Sequence, residues 1–416
     1  MVNPDCHINK IIFITNWPVT LSEEKRWNFK YLRSQGLEVE VFDLTTLLDH
    51  EYSLKHPMSC DTLQGDFVRR ISSYRELDSL LDQSATHSIF VDGIAGYSDV
   101  PLKLEKIFRL LKRHNARYII SSITPYPSPS LLNDQQGRIK LMLFNLRKIS
   151  NPWKVLVYIA RKLILWMTRH NVIYPLPFMI FGVPAEKLLQ FVAKRNISRE
   201  KITPVHSSDH DTYLLYHREL KGKDTPIEDV CVFLDEAATH HPDFTLSDGE
   251  PIPAQQYFAS MNRFFDFIEK TTGLSVIIAA HPNSNYESMP GVFGGRPIIK
   301  GKTAEMVAKS RLVVTHMSAS VSFAVLFQKP LMLVKTADMR LNPTYHVMTD
   351  VLATALDIKP IDIDEGALPP SSIPKDFNHE KYEEYLYKYV KSRGVDDRLV
   401  WEIIVSEIKK AEIGTE

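Results

Sequence analysis

Short apolar runs recur along this chain, each ending in a polar residue and each separated from the next by an amphipathic stretch. Residues 10–16, KIIFITN, are β-rich and end in a polar side chain, the pattern of a strand buried on both faces of an α/β sheet. Pro18 and Ser22-Glu23-Glu24 then open a helix that runs to near Ser34, and Gly36 stops it. VEVFDL (39–44), SIFVDGI (88–94) and RYIISSI (117–123) repeat the strand pattern, and the periodic segment 100–114 between the last two predicts a helix. Strand, helix and strand at this spacing predict parallel βαβ units.

The pattern changes over about 130–200. LNDQQGRIKLMLFNLRKI and NPWKVLVYIARKLILWMTRH read as helices with no strand alternation between them, so a helical insertion in the first domain is expected. PLPFMIFGVPAEKLLQFVAKRN follows, with a short strand and another helix. The polar stretch 217–228, HRELKGKDTPIE, is the candidate linker. A second alternating series begins after it. DVCVFLD (229–235), LSVIIAAHP (274–282), RLVVTHMS (311–318) and PLMLV (330–334) are strands, and 254–272, 303–310 and 319–328 are helices. The tail over about 379–412 is helical. The expected organisation is a first Rossmann-like domain over 1–216, a second over 225–375, and C-terminal helices over 376–416 that return to the first.

Composition narrows the class. The 416 residues are 44% apolar and 24% charged, ordinary for globular domains. Fifty basic and fifty acidic residues cancel, so no global field recruits nucleic acid. Cys6, Cys60 and Cys231 form no CxxC pair and no zinc spacing, which fits a reducing cytoplasm. The N-terminus lacks the apolar core of a signal peptide. No apolar run is long enough to cross a bilayer.

In doubly wound sheets, ligands bind beyond the carboxyl ends of the strands. Asp235 and Glu236 follow the strand VCVFL directly, with His240, His241 and Asp243 shortly after. A carboxylate at such a strand end serves as nucleophile or general base, or equally as a cap or turn residue. The paired histidines have no third ligand at characteristic spacing, so no metal site is expected. His281-Pro282 ends the next strand, where an imidazole can meet a phosphate and the proline shapes the turn. His316-Met317-Ser318-Ala319-Ser320-Val321-Ser322 joins a strand to a helix, an arrangement suited to an anion or to plain N-capping. Lys300-Gly301-Lys302-Thr303 does not match a P-loop. His206-Ser207-Ser208-Asp209-His210-Asp211 is dense in polar groups and reads either as ligand-facing or as a solvated loop. Residues 153–169 mix apolar and basic positions, the signature of a helix that packs on its own domain or rests on a membrane surface.

A His-Pro after one strand and a Ser-x-Ser after the next is similar to the nucleotide site of bacterial CMP-sugar transferases, among them sialyltransferases and Kdo (3-deoxy-octulosonate) transferases. A closer likeness spans about 205–335. HSSDHDTYLLY, VFLDEAATHHPDF, VIIAAHPNSNY, FGGRPIIKGKTAEMV and VVTHMSASVSFAVLFQKP resemble surface-polysaccharide proteins associated with the retaining β-Kdo transferases.

That resemblance implies an α/β fold of GT-B type, with two Rossmann-like domains. It implies a transferase that moves Kdo from CMP-β-Kdo to a lipopolysaccharide O-antigen or capsule acceptor at the inner face of the membrane. Asp235 would be the nucleophile, with Glu236, His241 and Asp243 around it. His281, Ser318, Ser320 and Ser322 would hold the donor nucleotide. By position, Pro282 and His316 are expected beside them, and by charge and polarity alone Lys300 is expected at the donor nucleotide and Asp209, Asp211 and Arg296 at donor sugar or acceptor. No metal or other cofactor is implied. Two alternatives stay open: a different nucleotide-activated donor, such as another CMP-nonulosonate, and a non-catalytic glycan- or nucleotide-binding protein.

Overall fold

The computed structural model describes residues 8–48, 62–94, 104–128, 176–240, 252–282 and 284–413, with isolated positions between 156 and 167. These residues form two compact units. The first takes the described residues up to Pro125, those from 149 to Ser208, and those from Gly394 onward; the second takes Tyr126 to Ser128 and Asp209 to Arg393. Each unit is built on one parallel sheet.

The first sheet has seven strands: β1 (Lys10–Thr15), β2 (Glu38–Asp43), β3 (Val68–Arg70), β4 (Ser88–Gly93), β5 (Arg117–Ser122), β6 (Met179–Gly182) and β7 (Ile202–Pro204). Their order is β3-β2-β1-β4-β5-β6-β7, all parallel. Side chains alternate across a strand, so β1 feeds two cores at once. Ile12 and Ile14 join one cluster, and Ile11 and Phe13 the other. That is why KIIFIT is apolar without alternation. Within the stretch assigned to the insertion up to about 200, the short strand and helix expected over PLPFMIFGVPAEKLLQFVAKRN are β6 and the helix Glu186–Lys194, and β6 and β7 extend the sheet. Of the expected insertion helices, only scattered helical positions between 156 and 167 belong to the described residues.

The helix expected over 22–34 is two: α1 (Leu21–Arg26) and α2 (Phe29–Ser34). Thr20 caps α1 in a reciprocal box with Glu23. Asn28 breaks the run at φ 50°, and its side chain accepts a bond from the Tyr31 N–H. Asparagine tolerates this left-handed conformation better than most residues. The break serves packing. Residues two apart on a continuous helix face different sides, yet Trp27 and Phe29 both pack on Phe13, at centroid distances of 4.5 and 5.0 Å.

Also in this unit are the described helices α3 (Thr45–Leu48), α4 (Tyr74–Ser84), α5 (Leu104–Arg113) and α6 (Glu186–Lys194). Next comes α7 (Ser208–Leu220), where the sequence suggested a polar loop and then a linker. The helix takes in Ser208–Asp211 and the first four residues of the expected linker, and the rest of that stretch, from Lys221, connects to the second sheet.

The second sheet has six strands: β8 (Val230–Leu234), β9 (Ser275–Ala280), β10 (Ile298–Lys300), β11 (Leu312–Thr315), β12 (Leu331–Lys335) and β13 (Ile361–Asp362). Their order is β10-β9-β8-β11-β12-β13, again parallel. The long helix α8 (Ala254–Thr272) covers one face with Tyr257, Met261, Phe264, Phe265 and Ile268. Gly273, at φ 75°, ends it in the left-handed turn that glycine adopts without strain. The other helices of this unit are α9 (Thr303–Lys309), α10 (Val321–Leu326), α11 (Ala337–Leu341), α12 (Pro343–Leu356) and α13 (His379–Tyr385), which continues into a π-helical turn, Leu386–Val390.

The C-terminal tail divides at Gly394. Its last helix, α14 (Val400–Ile413), lies against the first sheet, where Trp401 is fully buried and meets Phe13 edge-on, with ring centroids 5.3 Å apart. Trp401→Ala should therefore lower the stability of the first unit by about 3–5 kcal/mol, read as a fall in the denaturant midpoint.

Candidate active site

The second sheet reverses its winding between β8 and β11, the place where open α/β sheets gather ligands. Asp235 and Glu236 stand at the end of β8, on that reversal. Both are buried, at 3% and 7% exposure. They reach in opposite directions along the sheet. The Asp235 carboxylate turns toward the β9 end, where Oδ2 accepts the His281 N–H at 3.1 Å and Oδ1 accepts the Tyr286 hydroxyl at 2.8 Å. The Ala237 N–H adds a third bond to Oδ1, at 3.0 Å. Ala237 itself holds φ 50°, a left-handed conformation costly for a residue with a Cβ. Glu236 turns toward β11, where Oε1 accepts the Thr315 hydroxyl and the Met317 N–H, each at 2.8 Å. Its Oε2 has no partner among the described residues.

Burial raises both carboxyl pKa values, since the charged form loses its hydration. The donors around Asp235 pull back against that shift without cancelling it. Glu236 is pushed up to about 7, chiefly by burial, with the neighbouring Asp235 charge adding to it. Tyrosines crowd the pair: Tyr257, Tyr286 and Tyr345 feel the field of both carboxylates. Tyr126 feels Glu236 and donates its hydroxyl to the Met317 carbonyl at 2.7 Å. None of these tyrosines was foreseen. An aromatic in an apolar run carries no mark of whether its hydroxyl will meet a carboxylate.

Several expected residues gather here. His281 sits half-buried at the β9 end, and its carbonyl accepts from the Ser284 N–H and hydroxyl, closing a tight turn. Pro282 is exposed on that turn. Lys300, at the β10 end, donates to the Ser284 carbonyl at 2.7 Å, so it braces the turn. Ser318 and Ser320 are half-buried after β11. The Ser318 N–H donates to the Thr315 hydroxyl, and the Ser318 Oγ accepts the Ser320 N–H. The helix that follows them, α10, has only six residues, and the Ser320 side chain makes no cap bond.

Other expectations are corrected. His316 faces the core, not a ligand. Its Nδ1–H donates to the Val334 carbonyl at 2.8 Å, and its Nε2 accepts the Tyr257 hydroxyl at 3.0 Å. Burial lowers its pKa to about 4, so the ring is neutral. Arg296 lies against α8, bonded to Asp266 and Glu269 at 2.6 Å each, with its guanidinium over Phe265. Those acids satisfy it away from the strand ends. Ser322 is buried and donates to Asp209 on α7, which takes both residues out of simple ligand-facing roles. Asp211 is buried one turn into the same helix. The solvated-loop reading of 206–211 fails too: His206 is fully buried, with its Nε2 2.9 Å from the Asp396 carbonyl. His241 and Asp243 lie outside the described residues. Cys231 is buried in the core beside Phe233, consistent with a structural role.

The Glu236 shift has a sign in stability. Its carboxyl ordinarily titrates near 4.5 and here near 7. A group whose folded pKa is raised stabilises the fold while protonated. That contribution is complete below about 4.5 and lost as pH rises through about 7. Glu236→Gln should therefore flatten the fall in unfolding free energy between those pH values, by roughly 3 kcal/mol. Paired denaturant titrations across that window provide the check.

No protein-family profile matches the sequence, and no curated protein sequence matches it. Solved structures do resemble it. The wall teichoic acid polymerase TagF, as its H444N variant, aligns at TM-score 0.53 and 13% identity, covering 99% of this chain and 90% of that one. The H548A form aligns at 0.51 and 12%, covering 99% and 92%. UDP-N-acetylglucosamine 2-epimerase from Rickettsia bellii aligns at 0.49 and 10%, covering 98% and 97%. At such identities the likeness is one of fold: the chain has the α/β architecture of the GT-B type, with two Rossmann-like sheets.

Proposed function

We propose that this protein is a glycosyltransferase that takes Kdo from CMP-β-Kdo and delivers it to a lipopolysaccharide O-antigen or capsule acceptor. One observation carries the reading. The residues that resemble the CMP-sugar site meet at the single reversal point of the second sheet, around a buried carboxylate pair. The CMP phosphate and ribose would be met by His281, Ser318 and Ser320, with protein groups neutralising the phosphate. A retaining transfer needs two displacements. The Asp235 carboxylate attacks the anomeric carbon, the bond to the phosphate oxygen breaks, and CMP leaves with the electron pair. The acceptor hydroxyl then attacks the same carbon, and Asp235 leaves as a carboxylate. The hydroxyl proton goes to a base, and Glu236, titrating near 7, is the neighbouring carboxyl suited to it.

The three hydrogen bonds that already hold Asp235 favour a second reading. On it, Asp235 positions the His281 turn, and the protein binds a nucleotide sugar without a covalent step. Asp235→Asn separates the two, because asparagine keeps the shape while one oxygen becomes an N–H₂ donor. If Asp235 is the nucleophile, transfer falls by at least about a thousandfold and CMP still binds. If it is a positioning residue, CMP affinity itself weakens.

The donor is tested by calorimetric titration with CMP, CDP, UDP, GDP and ADP, with and without Mg²⁺. The expected result is selective binding of CMP that is indifferent to the metal. Preference for a diphosphate nucleotide would overturn the CMP-sugar assignment.

A further inference from the structure

The described positions between 156 and 167 are helical and belong to the first unit. One side of this helix is seated: Ile164 is 2% exposed within the core against the first sheet, and Met167 packs on the same cluster. Another side is exposed. Leu156, Ile159, Leu163 and Trp166 are 58%, 57%, 56% and 57% exposed. Their spacing of three, four and three places them along one stripe. Leu176 and Phe178, a few residues on, are exposed as well. Six of the ten large apolar side chains exposed among the described residues thus fall within 156–178. Scattered exposed leucines need no explanation, but a concentrated stripe marks an interaction surface.

Charge says what covers it. The whole chain balances fifty basic against fifty acidic residues. Between Asp134 and Glu186 that balance fails completely, with eight Lys or Arg and no Asp or Glu. Lys162 is exposed beside the stripe, and Lys154, Arg161 and Arg169 accompany it in the sequence. A second copy of the chain would bring the same positive charge against itself. Nucleic acid would suit the charge but not three exposed aliphatic side chains. An apolar stripe flanked by cations, with no anion near it in sequence, is the pattern of a helix lying in the interface of an anionic bilayer. Among the described residues no helix is long and apolar enough to cross a membrane, so the contact lies on the surface.

We propose that the helical positions Leu156, Ile159, Leu163 and Trp166 dock this protein on an anionic phospholipid surface. The proposal does not depend on which donor the second unit takes. The test is co-sedimentation of the full chain with phosphatidylcholine vesicles, with and without phosphatidylglycerol, at low and high salt. Wild type should sediment with the anionic vesicles, less so at high salt, and hardly with phosphatidylcholine alone. Leu156→Ser/Leu163→Ser/Trp166→Ser should lower the vesicle-bound fraction roughly tenfold, and Lys162→Glu should lower it less. Because the stripe is exposed, the triple variant should unfold at the wild-type temperature. Should it fail to fold, Trp166→Phe supplies the second measurement: the difference between wild-type and variant emission should shift to shorter wavelength when anionic vesicles are added. Equal binding to both vesicle types, undiminished binding of a folded triple variant, or no shift in that difference spectrum would overturn the proposal. So would a wild-type dimer that the triple variant dissolves, which would assign the stripe to a second copy.

Discussion

Two adjacent carboxylates buried at the end of one strand are the constraint around which the second unit is arranged. A buried charge is tolerated only when donors surround it. Asp235 and Glu236 find theirs on opposite sides. Asp235 recruits the β9 end through the His281 N–H and Tyr286, while Glu236 recruits the β11 end through Thr315 and Met317. The pair therefore ties together three neighbouring strands at their carboxyl ends. Ala237, which donates its N–H to Asp235, itself takes a left-handed conformation at this turn.

What surrounds the pair follows from it. Tyr286 supplies a hydroxyl to Asp235, and burial keeps the Tyr257 and Tyr286 hydroxyls protonated. His316 sits behind them as a neutral ring, fixed between a carbonyl and Tyr257, and so acts as packing with two satisfied nitrogens. Glu236 is the unequal partner. One of its oxygens takes every donor and the other takes none among the described residues, which leaves a carboxyl that titrates near neutrality. Groups held in that state are how proteins place acid–base chemistry within the working pH range.

Local propensity and long-range packing agree in most of the chain and conflict in a few places. Where they conflict, packing prevails. The charge and capping pattern after Pro18 suits one helix, but Trp27 and Phe29 both belong on Phe13, and the helix breaks at Asn28 to let them reach it. Arg296 reads as a cation available to a ligand, but Asp266 and Glu269 one layer away on α8 meet it first. At Leu156, Ile159, Leu163 and Trp166 the apolar side chains stay more than half exposed, and exposed apolar surface is what drives association.

Hydrophobic periodicity was enough to place β1, β2, β4, β5, β8, β9, β11 and β12, because a strand buried on both faces is apolar throughout and its length is short. Helix α8 was legible to its ends, bounded by Pro253 and Gly273. Asp235 and His281 could be singled out because parallel sheets present their strand ends to ligands whatever the details. Short edge strands such as β3, β10 and β13 gave too few residues for a period, and α7 hid beneath a polar composition. Which polar side chain faces a ligand and which closes a distant contact was decided only in three dimensions. His316 and His281 look alike as histidines after strands, but the partners of His316, Val334 and Tyr257, lie 18 and 59 residues away. Sequence records that a group is polar and roughly where its backbone goes; the identity of its partner depends on how separate elements are brought together, and no local pattern encodes that.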